Sequence, residues 1–323
     1  MKLTPEEQDA QLKQILGPWP NTYTYTKSMA ERTLRKTKPA NLPCCILRPS
    51  IIACADKEPF SGWTDTLSAA GGLSYAGGCG LLNYVNTKAD NIADIIPVDY
   101  VSNAIIVSTM MCADKPGLTV VHSNSSHMNP LTWGNYIKYG FDYISLQPLS
   151  NQMFKPRLSF IENKKNLLRK FYWTNEVPAA VLDKVSKIPG IGSTKMQKDV
   201  SMLKLLNEKL KDFYEMFEHF VSGEWIYETK KIYEFEQKMS TKDKEIFYID
   251  PRKFDWRNET YRYVFGIDHF MNKQDIYDLS LGHHMALLRK NKFRNFDSFR
   301  RVFFENQIIS QDTDIIRKEA TAS

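Results

Sequence analysis

Pro20-Asn21-Thr22-Tyr23-Thr24-Tyr25-Thr26-Lys27, continuing as a helical stretch to about Arg35 and followed after Pro39 to Pro43 by Cys44-Cys45-Ile46-Leu47, decides the fold class. Pro20 breaks the chain and Asn21-Thr22 offers a cap, so a helix is expected from about Tyr23. The prolines at 39 and 43 end it, and the short apolar run reads as a buried strand, half of a βαβ crossover. Further along, Ile92-Ala93-Asp94-Ile95-Ile96-Pro97-Val98-Asp99 leads into an apolar helix, Tyr100 to Met111, and Leu118-Thr119-Val120-Val121-His122 returns as a strand. This alternation predicts an α/β protein whose parallel sheet is covered by helices. From about residue 127 aromatic side chains are dispersed through charged helical segments, Lys198 to Phe220 and Asp255 to Phe270 among them, so the second half is expected to be mainly helical. The spacing of Met202, Leu205, Leu206, Leu210, Phe213, Tyr214, Phe217 and Phe220 predicts one buried helix face.

With 323 residues, 42% of them hydrophobic and 25% charged, the chain can bury a sizeable core without disulfides or metal. No run approaches the ~18 uncharged apolar residues that span a bilayer. The net charge of +6 is too dilute to mark a nucleic-acid binder. Cys44, Cys45, Cys54, Cys79 and Cys112 form no Cys-x-x-Cys pair and read as small core residues in a reducing compartment, with no metal site expected. Met110-Met111 and the tryptophans are expected in the core. The first ten residues lack the apolar region of a secretory leader, and Thr321-Ala322-Ser323 is not a Ser-Lys-Leu signal, so an intracellular protein is expected.

Tyr23 and Lys27 stand four residues apart and so share a helix face, where an ammonium favours phenolate and eases proton transfer: a general-acid arrangement for carbonyl reduction. The spacing occurs three times. Tyr84 to Lys88 reads as a polar loop and Tyr227 to Lys231 as part of the charged helical half, neither with a sheet edge beside it, whereas Tyr23 and Lys27 open a helix that feeds a strand.

The stretch Trp19 to Glu31 resembles the active-site helix of alcohol-forming fatty acyl-CoA reductases, of the extended short-chain dehydrogenase/reductase superfamily. The resemblance continues through Leu47-Arg48-Pro49-Ser50-Ile51-Ile52, Glu58 to Asp65 and Ala93 to Ala104. It returns in Phe217-Glu218-His219-Phe220, Glu224-Trp225-Ile226-Tyr227 and Asp255-Trp256, covering roughly residues 15 to 270. It implies NADPH-dependent reduction of a long-chain acyl-CoA to a bound aldehyde and then a primary alcohol, consuming two hydrides and releasing CoA. By the family pattern Tyr23 protonates the oxyanion, Lys27 holds the nicotinamide ribose and lowers the phenol's pKa, and Pro49, Ser50 and Ile51 line the nicotinamide. For those last three an ordinary strand-to-loop turn is the alternative. The implied architecture is the distal part of a Rossmann-like parallel sheet in residues 1–126, a mainly helical domain in 127–275, and a basic then polar tail in 276–323. The implied location is the periphery of peroxisomal or endoplasmic-reticulum membranes, with the basic tail as a peripheral contact.

One departure is large. No Gly-x-Gly-x-x-Gly turn precedes Tyr23, and Gly71 to Gly80 reads as a loop near the substrate region. Gly78-Cys79-Gly80 stands where the family commonly has Gly-Lys-Gly. A sheet without its first strands exposes edges, so the missing cofactor-binding half is expected from a longer chain or a partner, and these residues alone are expected neither to bind NADPH tightly nor to turn over. The competing reading is a non-catalytic acyl-lipid-binding or membrane-peripheral protein. A third, an extended reductase of sugars or steroids, is weakened by the carboxy-terminal motifs. Gly72-Leu73-Ser74-Tyr75-Ala76 imitates a nucleophile elbow without its second glycine. Asp99 has two readings, a positioner of the substrate-side loop and a helix cap.

Overall fold

Thr4 and Asn21 start the first two helices through their side chains. Thr4 forms a reciprocal capping box with Glu7 at the head of α1 (Pro5–Leu16), and Asn21 Oδ1 accepts from Thr24 N at 2.9 Å at the head of α2 (Thr22–Thr37). In this computed structural model, which describes residues 4–253 and 255–272, a short connection then leads into β1 (Pro43–Pro49) and β2 (Ile51–Ala53). After α3 (Ala69–Gly78) and β3 (Tyr84–Val85), the chain enters β4 (Ile95–Pro97), α4 (Val98–Cys112) and β5 (Gly117–Ser123). The helical half holds α5 (Trp133–Leu146), the short strand β6 (Ser159–Phe160), α6 (Lys164–Phe171), α7 (Val177–Ser186) and α8 (Thr194–Ser222). It closes with α9 (Lys230–Lys238), α10 (Thr241–Ile246) and α11 (Trp256–Gly266).

Among the described residues every pair of named strands is parallel, as expected of an α/β protein, with one isolated antiparallel bridge between Ile92 and Thr132. β1 pairs with β5 from Pro43↔Gly117 to Pro49↔Ser123, β2 with β4 from Ile51↔Ile95 to Ala53↔Pro97, and β3 with β6. The segment 43–53 therefore changes neighbour midway: Ser50 N still donates to Ser123 O, and Ile51 N donates to Asp94 O, both at 3.0 Å. One main core gathers Ile95, Ile96 and Tyr100 from the sheet region, Trp133 and Tyr136 from α5, and Leu210 and Trp256 from the helices beyond. Among the described residues no helix is long and apolar enough to cross a membrane.

Several expectations are corrected. Gly71 to Gly80 is not a loop: most of it is α3, buried at Ala70, Gly71, Leu73, Gly77 and Gly78. Tertiary packing overrides the low helix propensity of glycine, because a Cβ on Gly78 would stand 2.6 Å from Leu149 Cδ1 and one on Gly71 2.7 Å from the Tyr263 hydroxyl. Ser74 lies on this helix, 2.7 Å from the Tyr136 hydroxyl. Tyr84 and Val85 form a strand rather than a polar loop, and Tyr227 and Lys231 do have a sheet beside them. Tyr227 packs on His122, and Lys231 Nζ donates to Val120 O at 3.0 Å. Met110 is 72% exposed and Trp173 64%, so neither is core. On α8, Val200, Leu210, Tyr214 and Val221 form the buried face, but Met202 and Leu205 face solvent, because at ~100° per residue they lie on another side of the helix. Cys54, Cys79 and Cys112 are buried, Cys44 and Cys45 half-buried, and all five are free thiols. The basic then polar tail lies outside the described residues.

Candidate active site

Tyr23, Lys27 and Glu31 follow one another at intervals of four along α2 and so share one face. Lys27 Nζ stands 5.6 Å from the centre of the Tyr23 ring, and the edge of Phe220 on α8 meets that ring at 6.0 Å between centroids. Glu31 anchors the face to the sheet. Arg48 on β1 donates from Nε to Glu31 Oε1 at 2.8 Å and from Nη2 to Oε2 at 2.5 Å, a bidentate pair that holds the carboxyl below its ordinary range.

That anchor sets the direction of the site. The short connection at 38–42 makes α2 antiparallel to β1, and Arg48 is near the carboxyl end of the strand. Tyr23 lies eight residues, or ~12 Å at 1.5 Å per residue, further along the helix, past that end. Ligands of parallel α/β sheets bind at the carboxyl ends of strands, where neighbouring strands part. Pro49, Ser50 and Ile51 occupy the place where the chain leaves β5 for β4. Ser50 Oγ there is buried beside Asp94, and both ends of the Asn124 amide, just past β5, are buried without a hydrogen-bond partner among the described residues. Asp94 beside them accepts from Ser125 N at 2.9 Å and Ser126 N at 3.2 Å, and burial pushes its carboxyl up. Tyr23 and Lys27 are exposed, Tyr23 at 60%.

Asp99 resolves in favour of the loop. It is the second residue of α4, not its cap, and its carboxylate accepts from the backbone N–H of Asp56, Lys57 and Glu58 at 2.9–3.3 Å and from the Tyr248 hydroxyl at 2.7 Å. Asp56 in turn accepts from Arg262 Nη1 at 2.9 Å, and the same nitrogen donates to Glu259 at 3.0 Å. Burial, and then the neighbouring Asp56, push the Glu259 carboxyl well above its ordinary value. Sequence reasoning missed Asp56, Tyr248, Glu259 and Arg262, because contacts across as many as 206 positions leave no periodic trace.

A parallel α/β sheet with a Tyr–Lys helix at its carboxyl edge defines a Rossmann-like protein. An NAD-binding family model described as male sterility protein matches residues 1–105, and a second of the same description matches residues 174–274. The fatty acyl-CoA reductase 2 of Mus musculus is 31% identical over 267 residues, 81% of this chain and 50% of that protein; that of Bos taurus is 30% identical over 270 residues with the same coverage. The fatty acyl-CoA reductase 1 of Rattus norvegicus is 30% identical over 287 residues, 87% of this chain and 52% of that protein. This chain belongs to the fatty acyl-CoA reductase family and spans about half the length of the curated relatives it matches. A solved terminal R domain from the myxalamid PKS-NRPS biosynthetic pathway aligns at 17% identity and a TM-score of 0.38, covering 77% of this chain and 50% of that one. The fold assignment rests on the strand pairing and not on that alignment.

The residues present fit one end of a nicotinamide cofactor. The unpartnered Asn124 amide, beside the Ser50 hydroxyl and the Asp94 carboxylate, offers a donor and an acceptor of the kind a carboxamide pairs with. The pyrophosphate end has no seat among the described residues, since no glycine-rich turn links a strand to a helix; the cluster at 71–78 is a packed helix.

Proposed function

We propose that this chain forms the catalytic-helix and acyl-binding part of a reductase that converts a long-chain fatty acyl-CoA, with NADPH, to a fatty alcohol and free CoA. The observation that carries this reading is the Tyr23–Lys27–Glu31 face, tied by Arg48 to the carboxyl end of a parallel strand. When bound, NADPH supplies the hydride, once for each of two reductions. Tyr23 donates its phenolic proton to the substrate oxygen as negative charge develops there, and Lys27 beside it stabilises the phenolate left behind. Lys27 also holds the ribose, while Pro49, Ser50 and Ile51 flank the nicotinamide. The Asp99-held loop at 56–58 positions the acyl side. The free edge of β1 takes a further unit carrying the glycine-rich turn, from the same or a partner polypeptide.

One observation favours a second reading, an acyl-lipid-binding protein without catalysis: α2 has no buried residue, and Tyr23 is largely exposed despite its contact with Phe220. The polypeptide as its own cells produce it, captured through residues 200–270, is given a long-chain acyl-CoA and NADPH. Fatty alcohol, free CoA and two NADPH oxidised per alcohol are expected. Acyl-CoA bound with no oxidation of NADPH supports the second reading, and release of aldehyde as the end product overturns the alcohol-forming one.

A further inference from the structure

Six exposed apolar residues cluster around the connection from α7 to α8. Val181 and Leu182 on α7, Ile188 and Ile191 in the connection, and Met202 and Leu205 on α8 are all solvent-facing, Ile191 at 63% and Met202 at 63%. Nothing among the described residues covers them, and Met202 and Leu205 lie off the face that Val200, Leu210 and Tyr214 bury.

The apex is a built turn. Gly190 takes a left-handed conformation with φ +82°, and Gly192 packs so tightly on the Ser186 carbonyl that a Cβ would overlap it. Gly192 N donates to Ile188 O at 2.9 Å, and Gln197 Nε2 on α8 donates to Ser186 O at 3.0 Å, tying the two helix ends together. Ile188 and Ile191 are thereby held out at the tip.

Lysines ring this tip. Lys184, Lys187, Lys195, Lys198 and Lys204 face only Asp183 and Asp199 over residues 181–205. Asp183 is engaged by Lys187 at 2.8 Å and Lys204 at 3.6 Å. Lys184, Lys195 and Lys198 have no carboxylate within ion-pair distance among the described residues. Protruding aliphatic side chains inside a collar of long cationic ones match a lipid interface, where the aliphatic groups enter the acyl boundary and lysine stems lie along it with their heads at anionic headgroups.

We propose that the tip of the α7–α8 hairpin docks on an anionic membrane surface, with Ile188 and Ile191 as the inserted residues and Lys184, Lys195 and Lys198 as the headgroup contacts. This does not rest on the reductase reading, and it assigns the contact to a different segment from the basic tail.

The test is co-sedimentation of the full chain with vesicles of phosphatidylcholine alone and of phosphatidylcholine mixed with phosphatidylserine, with self-association followed by analytical ultracentrifugation. Wild type is expected to pellet with the mixed vesicles, less so as salt is raised. Ile191→Glu and the pair Lys195→Glu with Lys198→Glu are expected each to weaken binding about tenfold or more, while Met110→Glu, a change at an equally exposed apolar residue on α4, leaves it intact. The milder Ile191→Ser tests the same residue without adding charge. Equal pelleting of wild type and the hairpin variants overturns the proposal, as does a wild type that stays in the supernatant with both vesicles. Self-association abolished by Ile191→Ser, with no vesicle binding, overturns it in favour of a second copy as the occupant.

Discussion

The region of α2 and β1 and the corner built by α3, α5 and α11 lie in one chain but obey opposite rules. Neither α2 nor β1 has a single buried residue, and β1 pairs only with β5, leaving its other edge without a strand among the described residues. Parallel sheets are ordinarily covered on both faces, so this is an incomplete surface. In the opposite corner Leu82, Leu131, Leu149 and Val264 are almost wholly enclosed, and glycines replace side chains where helices touch. The lesson is a division of labour. The closed corner holds the fold, and the open region keeps Tyr23 and Lys27 accessible on a half-buried helix tied to its neighbours by the Glu31–Arg48 ion pair and the Tyr23–Phe220 ring contact.

Substitutions sharpen this contrast. The largest stability loss is expected at Gly266→Ala, since a Cβ there would fall 1.7 Å from the Gly62 carbonyl oxygen and force backbone to move. Soluble yield and thermal melting check it, with a fully folded variant of unchanged Tm counting against the packing described. Next, Leu149→Ala is expected to cost about 2–5 kcal/mol in urea unfolding, against under about 0.5 kcal/mol for Met29→Ala on the exposed side of α2. Equal costs would erase the distinction between the two regions.

Arg48→Ala releases Glu31 and is expected to cost at most about 1 kcal/mol, because both groups are partly exposed to water. Its effect on turnover should exceed its effect on stability, since it frees the helix that carries Tyr23; kcat and Tm measured together decide this. The smallest effect is pH-dependent. With the folded-state pKa of Glu259 raised, the protonated side chain contributes stability that is fully present below the ordinary carboxylate value and lost as pH rises through the raised one. Glu259→Gln should therefore melt higher than wild type at about pH 8 and differ little at about pH 4, with Arg262 still paired to Asp56. A difference that grows toward acid would reverse the assigned direction.

The sequence was most legible where one physical signal dominated. Caps and breakers placed α2, Pro43 and the apolar run placed β1, an apolar helix placed α4, and aromatics spread through a charged helical segment placed α11. The glycines of α3 read as a loop because propensity is local, while the reason for them, contact with Leu149 and Tyr263, comes from distant segments. The exposure of Met202 and Leu205 was hidden because successive spacings of three and four drift round a helix, and both residues lie off the face that Val200, Leu210 and Tyr214 bury. Of the site, the Tyr23–Lys27 pair was visible as spacing and became distinctive through family resemblance, since all three such pairs lie beside a strand or within one. Its orientation depended on Glu31 and Arg48, and the Asp56–Arg262–Glu259 cluster on contacts no window of sequence contains.

The central claim is that Tyr23 is an exposed proton donor and not a packing residue. Its most direct test compares Tyr23→Phe with wild type in the native polypeptide, measuring acyl-CoA-dependent NADPH oxidation beside Tm. The account predicts a loss of turnover of about 100-fold or more with Tm unchanged. Retained turnover, or a loss that merely follows a fall in Tm, would contradict it.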